Sequence, residues 1–117
     1  MVQESEIKLS LYASGYCEAH ARVVNPINGR GKTKFYAVWA FLQIPSVGNI
    51  LFDTGLGFPS ENGTLRIVEN LAKHLLLPGD ISVVILSHLH KDHAGGLSYV
   101  DINGVRKPTF PNASYYI

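Results

Sequence analysis

Residues 81–96 read Ile81-Ser82-Val83-Val84-Ile85-Leu86-Ser87-His88-Leu89-His90-Lys91-Asp92-His93-Ala94-Gly95-Gly96. Ile81–Leu86 is a short, nearly continuous apolar run, which predicts a strand buried on both faces. Four groups able to ligate a metal, His88, His90, Asp92 and His93, then fall within six residues. They follow the strand at once, so they lie at its carboxyl end, where sites in α/β sheets form. On an extended backbone His88 and His90 point the same way, because side chains alternate with period two, and Asp92 continues the row. His93 then comes from a turn and aims at a second nearby position. The spacing therefore suits two adjacent metal ions better than one. Imidazole with carboxylate favours Zn²⁺, with Fe or Mn as further candidates. Gly95-Gly96 allows close backbone approach and opens the next helix without crowding.

Working back from this stretch, Leu65, Val68, Leu71, Ala72, Leu75 and Leu76 share one helical face, and Pro78-Gly79 stops that helix. Asp53-Thr54-Gly55-Leu56-Gly57 breaks the pattern before it. Ile50–Asp53 reads as a short strand, Ser46-Val47-Gly48-Asn49 as a hairpin turn after Pro45, and Phe35–Ile44 as a buried apolar and aromatic strand. Asn25-Pro26 and Asn28-Gly29 mark a loop running to about Thr33. Tyr16–Val24 suggests an extended piece, and Ile7–Tyr12 a half-buried strand with period-two alternation. Downstream, a short helix is expected from about Ala94 to Tyr99, a loop over Asp101–Pro111 and a last strand over Ala113–Ile117. Strands followed by helix, strand, site loop and helix indicate a layered α/β domain. The sequence ends on apolar Tyr115-Tyr116-Ile117 without a polar tail, which suggests an incomplete domain.

The chain has 117 residues, enough for one domain with a modest core. With 46% apolar and 16% charged residues, a packed globule is expected. The net charge of +1 and the scattered basic residues exclude the footprint of a dedicated nucleic-acid binder. The loose basic group Arg30–Lys34 reads as a solvated loop. A single cysteine, Cys17, excludes an internal disulfide and reads as a small buried apolar residue. The N-terminus lacks the apolar run of a signal peptide, and no apolar stretch is long enough to span a membrane, so a soluble, cytoplasmic setting is expected. Two glycosylation-type triplets, Asn62-Gly63-Thr64 and Asn112-Ala113-Ser114, read as chance matches. His20 is expected to pack or hydrogen-bond, and His74 to complement the dipole in the last turn of its helix.

His88-x-His90-x-Asp92-His93 followed by Ala94-Gly95-Gly96-Leu97 resembles the signature of the metallo-β-lactamase superfamily of metallohydrolases. Ile50-Leu51-Phe52-Asp53-Thr54-Gly55 resembles that family's first motif. The resemblance runs roughly from Phe35 to Ile117. It implies an αββα sandwich, a mixed sheet with flanking helices, with a one- or two-metal site at the sheet edge. It implies that His88 and His90 bind the first metal and that Asp92 and His93 bind the second. Asp53 would support the ligands without binding metal. A hydroxide shared by the metals would attack an ester, lactone, amide, thioester or phosphoester, with Asp92 orienting it or passing a proton to the leaving group. The Asp-Thr-Gly-Leu-Gly and His-Ala-Gly-Gly forms are similar to lactonase-like members, so a small-molecule substrate is implied. The family's further His, bridging Asp or Cys and last His have no counterpart among these residues. The resemblance therefore implies an N-terminal half of such an enzyme, weakly active or inactive alone, and a sheet face able to associate.

Two other readings compete. Apolar-Asp-Thr-Gly at Asp53–Gly55 resembles the aspartic-protease signature, in which two chains pair their aspartates. It leaves the histidine cluster unexplained, and Leu56 replaces the small residue usual there. The other is a metal-binding or interaction fragment without catalysis. Gly31-Lys32-Thr33 resembles the end of a phosphate loop, but Pro26 stands where that loop needs glycine.

Overall fold

The computed structural model describes residues 6–23, 25–57, 59, 61 and 63–117, with only the backbone at Cys17. The readings of the Cys17 side chain and of Asn62, which opens one glycosylation-type triplet, lie outside the described residues.

One N-terminal strand, β1 (Lys8–His20), runs where two separate pieces are expected. It pairs antiparallel with β2 (Lys32–Ile44), and the register shifts between Ala13 and Tyr16. Ser14-Gly15 inserts an extra residue there, so the outward series Leu9, Leu11, Ala13 resumes out of phase at Tyr16. Period two is broken in the sequence while the strand continues. Pro45–Val47 turns the chain into β3 (Gly48–Phe52), the Val47 N–H donating to the Ile44 carbonyl at 2.9 Å. Then follow α1 (Arg66–Ala72) and β4 (Ile81–Ile85), parallel to β3. α2 (Lys91–Ala94) is next, with β5 (Ser98–Val100), β6 (Arg106–Pro108) and β7 (Ser114–Tyr116). The main sheet is mixed and five-stranded, in the order β1-β2-β3-β4-β7, and β5 and β6 form a separate ribbon.

One face of the sheet carries the core. Trp39, Phe41, Leu51 and Val84 from the strands pack with Ile67 and Leu71 of α1 and with Phe110. Tyr12 stacks on Trp39 at 4.9 Å between ring centroids, and the Trp39 indole N–H donates to buried Ser14 Oγ at 2.6 Å. The register puts Leu9, Leu11, Val38 and Phe52 together on the opposite face, where all four are exposed. β4 is consequently buried on one side only. Ile81 and Val84 are inaccessible, whereas Ser82 is exposed and Val83 and Ile85 are half-buried. This corrects the expectation of burial on both faces: an apolar run reports what a strand can bury, and α1 covers just one side.

α1 is shorter than its apolar periodicity predicted. The Leu75 N–H bonds the Ala72 carbonyl at 2.9 Å and the Leu76 N–H reaches back to Leu71 at 3.2 Å, the two closing bonds of a Schellman end. Leu75 therefore occupies the left-handed position (φ 62°), points away from the core and is 92% exposed. His74 lies past the helix, its Nε2 bonded to the Tyr12 hydroxyl, so its expected place in the last helical turn is also corrected. A leucine in left-handed backbone costs about 1–2 kcal/mol, and glycine loses about 0.5–1 kcal/mol in chain entropy. Leu75→Gly should accordingly raise stability by about 0.5–1 kcal/mol, read from the midpoint of thermal unfolding. An unchanged or lower midpoint would contradict the strain.

Downstream of the site, the expected helix over Ala94–Tyr99 is replaced by α2, a 3-10 turn at Gly95–Leu97 and β5. The expected Asp101–Pro111 loop contains β6, antiparallel to β5. Asp101 organises this hairpin. Its Oδ1 accepts the N–H groups of Asn103 and Val105, both at 2.9 Å, and its Oδ2 faces Lys107 Nζ at 3.1 Å. The Val105 N–H foremost, then Lys107, hold this carboxyl below its ordinary 3.8. A depressed carboxylate stabilises the fold above its unfolded pKa, and that contribution is lost as pH falls through the folded value. The Asn103 and Val105 amide resonances should therefore move together below pH 3.8, and Asp101→Asn should abolish that movement. Independent movement of the two signals would show that Asp101 does not join them.

His20 meets its expectation as a hydrogen-bonding residue, since its Nδ1 accepts the Arg22 N–H at 3.2 Å. Among the described residues no helix is long and apolar enough to cross a membrane.

Candidate metal centre

β3 and β4 run parallel, so their carboxyl ends bring Asp53 and Ser87-His88 to one edge of the sheet. The Asp53 N–H extends the ladder by bonding the Ile85 carbonyl at 2.8 Å. Asp53 itself has φ 61°, a left-handed conformation that Asp tolerates better than most residues. Its carboxylate turns back over the end of β4. Oδ1 accepts the Ser87 N–H at 2.8 Å, the Ser87 hydroxyl lies 3.0 and 2.9 Å from the two oxygens, and Oδ2 lies 2.7 Å from His93 Nδ1. Partial burial works against ionisation of Asp53. The Ser87 N–H, His93 and the Ser87 hydroxyl together outweigh it and hold the carboxyl below its ordinary value.

For neutral imidazole rings, these bonds assign which histidine nitrogens are free. A Ser87 hydroxyl that donates to Asp53 can accept from His88 Nδ1, 3.0 Å away. His93 Nδ1 is likewise occupied by Asp53. Both rings are left with Nε2 as the lone-pair nitrogen, an arrangement that orients metal-binding histidines. His93 Nε2 lies 3.3 Å from Asp92 Oδ2. With the ring proton committed to Asp53, two acceptors face each other there, and a cation between them satisfies both. His88, Asp92 and His93 each offer a ligand atom, all within 4.8 Å of one another. Imidazole and carboxylate at this separation fit a divalent metal such as zinc.

His90 stands outside that group of three. Its ring meets the His88 ring edge-on, with centroids 4.7 Å apart. The predicted row along an extended backbone ends at His90, because α2 starts at Lys91 and the His93 and Ala94 N–H groups turn back to the His90 carbonyl at 2.9 and 2.8 Å. Asp92 and His93 both come from this turn, a correction to the extended placement of Asp92. Asp53 lies behind His93, bonded to its Nδ1 at 2.7 Å. Ser87 was not singled out from the sequence, although it touches Asp53, His88 and, at 3.4 Å, His93. A hydroxyl directly before the first histidine, at the end of a buried strand, was the signal that could have found it.

A profile described as the metallo-beta-lactamase superfamily matches residues 33–103. The N-acyl homoserine lactonase AiiA of Bacillus thuringiensis subsp. kurstaki is 33% identical over 108 residues, covering 76% of this chain and 43% of the lactonase. A probable metal-dependent hydrolase from Staphylococcus aureus superposes with a TM-score of 0.73 at 24% identity, over 97% of this chain and 47% of that one, a likeness of fold. The dizinc quorum-quenching lactonase AidC, solved with the product N-hexnoyl-L-homoserine, gives a TM-score of 0.68 at 25% identity, over 97% of this chain and 42% of that one. The chain belongs to the metallo-beta-lactamase superfamily. It spans less than half the length of the curated relatives it matches.

Proposed function

We propose that this chain supplies the N-terminal half of a zinc-dependent hydrolase that opens ester-type bonds, with small lactones as the favoured substrates. The observation that carries this reading is the convergence of His88, Asp92 and His93 at the sheet edge, with Asp53 bonded behind His93. The lactone assignment draws on the relatives named as N-acyl homoserine lactonases. His88 and His90 would serve one metal, and Asp92 and His93 the other. A divalent metal such as zinc bound by these residues would supply Lewis acidity for a carbonyl and for a water molecule. Asp53 Oδ2 keeps His93 in the tautomer that presents Nε2. Asp92, whose side chain is 36% exposed, can hold a proton and release it to the leaving oxygen. A single cysteine suits the reducing cytoplasm, which we assign as the setting. The apolar face of Leu9, Leu11, Val38 and Phe52 packs in this reading against the second sheet of an αββα sandwich. In the 117-residue chain alone it would cause self-association, visible by gel filtration.

Zinc titration of the metal-stripped chain, alongside assays of lactone and phosphodiester opening, tests the proposal. Weak zinc binding, reduced further by His90→Ala, is expected, with little turnover. Absence of zinc binding would remove the metal centre. Tight binding of two zinc ions, or robust lactone opening, would show that no further ligands are needed. Preferential phosphodiester hydrolysis would overturn the lactone assignment.

A further inference from the structure

Thr54 carries no metal-ligating group and is fully buried, yet it grips the backbone of His93. Its N–H donates to the His93 carbonyl at 2.7 Å, and its hydroxyl donates to the same oxygen at 2.9 Å. The hydroxyl oxygen in turn accepts the Gly96 N–H at 3.0 Å. α2 is only four residues long, so its terminal carbonyls and the amides that follow lack a further helical turn to bond them. Thr54 satisfies both kinds of group with one side chain. A Cβ on Gly96 would meet the Thr54 carbonyl oxygen at 2.6 Å, which explains why glycine stands there.

Adjacent residues thus hold the two ends of one ligand: Asp53 fixes the ring of His93 through Nδ1, and Thr54 fixes its peptide. We infer that Thr54 is a positioning residue that sets the ligand turn before any metal arrives. The consequence for metal affinity rests on the metal-centre reading above, whereas the anchoring of the turn does not.

Thr54→Val removes the hydroxyl at nearly constant volume, leaving the buried Gly96 N–H without an acceptor. Thr54→Ser keeps the hydroxyl. In the metal-free chain, hydrogen exchange at the Gly96 amide should accelerate at least about tenfold in Thr54→Val and stay near wild type in Thr54→Ser. Zinc affinity and the cobalt ligand-field absorption should follow the same order, with a loss of about 10- to 100-fold in the valine variant. Equal exchange in valine and serine variants would overturn the inference, as would a wild-type Gly96 amide exchanging at the rate of an unstructured peptide. The wild-type amide is decisive even if Thr54→Val does not fold. A wild-type chain that binds no zinc while Gly96 remains protected through Thr54 would contradict the metal centre and leave the anchor standing.

Discussion

Replacing Gly95 with alanine is expected to lower the thermal midpoint by about 10–20 °C, from a loss of about 3 kcal/mol. A Cβ at Gly95 would lie 2.4 Å from the Gly57 nitrogen and 3.0 Å from the Gly55 carbonyl oxygen. The clash is reciprocal, since a Cβ at Gly57 would meet the Gly95 carbonyl oxygen at 2.3 Å. All these neighbours are backbone atoms, so no rotamer change relieves the overlap. The loop after β3 and the turn carrying Asp92 and His93 must move apart. Metal affinity should fall together with stability, because that separation pulls Asp53 away from His93. Gly104→Ala is the control. Gly104 has φ 78° with open space around it, so alanine there meets only backbone strain of about 1–2 kcal/mol. Equal midpoints for Gly95→Ala and Gly104→Ala would show that the loop contact is soft.

Removal of the Asp53 carboxylate is expected to reduce zinc affinity by about 10- to 100-fold. Asp53→Ala strips the acceptor from the Ser87 N–H and from His93 Nδ1, and it places alanine at φ 61°. It should therefore lose stability as well as affinity. Asp53→Asn separates the two effects. Asparagine tolerates left-handed backbone, and its carbonyl can still accept the Ser87 N–H. Its amide N–H2 cannot accept the His93 Nδ1 proton and donates to Nδ1 instead, which selects the tautomer protonated at Nε2 and takes that lone pair from the metal. Asn should keep most of the thermal midpoint and show most of the affinity loss. Calorimetric zinc titration and thermal unfolding on both variants check this. Full zinc affinity in Asp53→Asn would show that the tautomer of His93 is not set by Asp53.

These two sites differ in how far the sequence exposed them. The histidine run points to a metal centre, because those residue types at that spacing have a specific chemistry. Asp53 could be tied to the run only through the family resemblance, as 40 residues separate it from His93. Ser87 carries only a weak local signal, its hydroxyl directly before the first histidine, and its contact with Asp53 joins residues 34 positions apart. Thr54 belonged to a noted motif, but a buried hydroxyl becomes informative only when its partners are known. The element boundaries depend on distant partners in the same way. Periodicity divides β1 in two, because the bulge at Ser14-Gly15 resets the alternation. Periodicity extends α1 to Leu76, because Leu75 fits the apolar face, while the closing bonds of the helix turn it outward.

By itself the sequence determined the layered α/β class, the strand that feeds the site and three of the residues that gather there, His88, Asp92 and His93. Those follow from local periodicity and from ligand chemistry, which neighbouring residues carry between them. Tertiary structure alone decided that α2 begins directly after His90, that Asp92 and His93 share its turn, and which nitrogen each of His88 and His93 leaves free. It also decided that one sheet face is covered and the other is open. Each depends on hydrogen bonds and packing between residues far apart in the chain, such as Thr54 with His93 and Trp39 with Ser14. Such pairings have no periodicity to read, and they exist only once the strands are side by side.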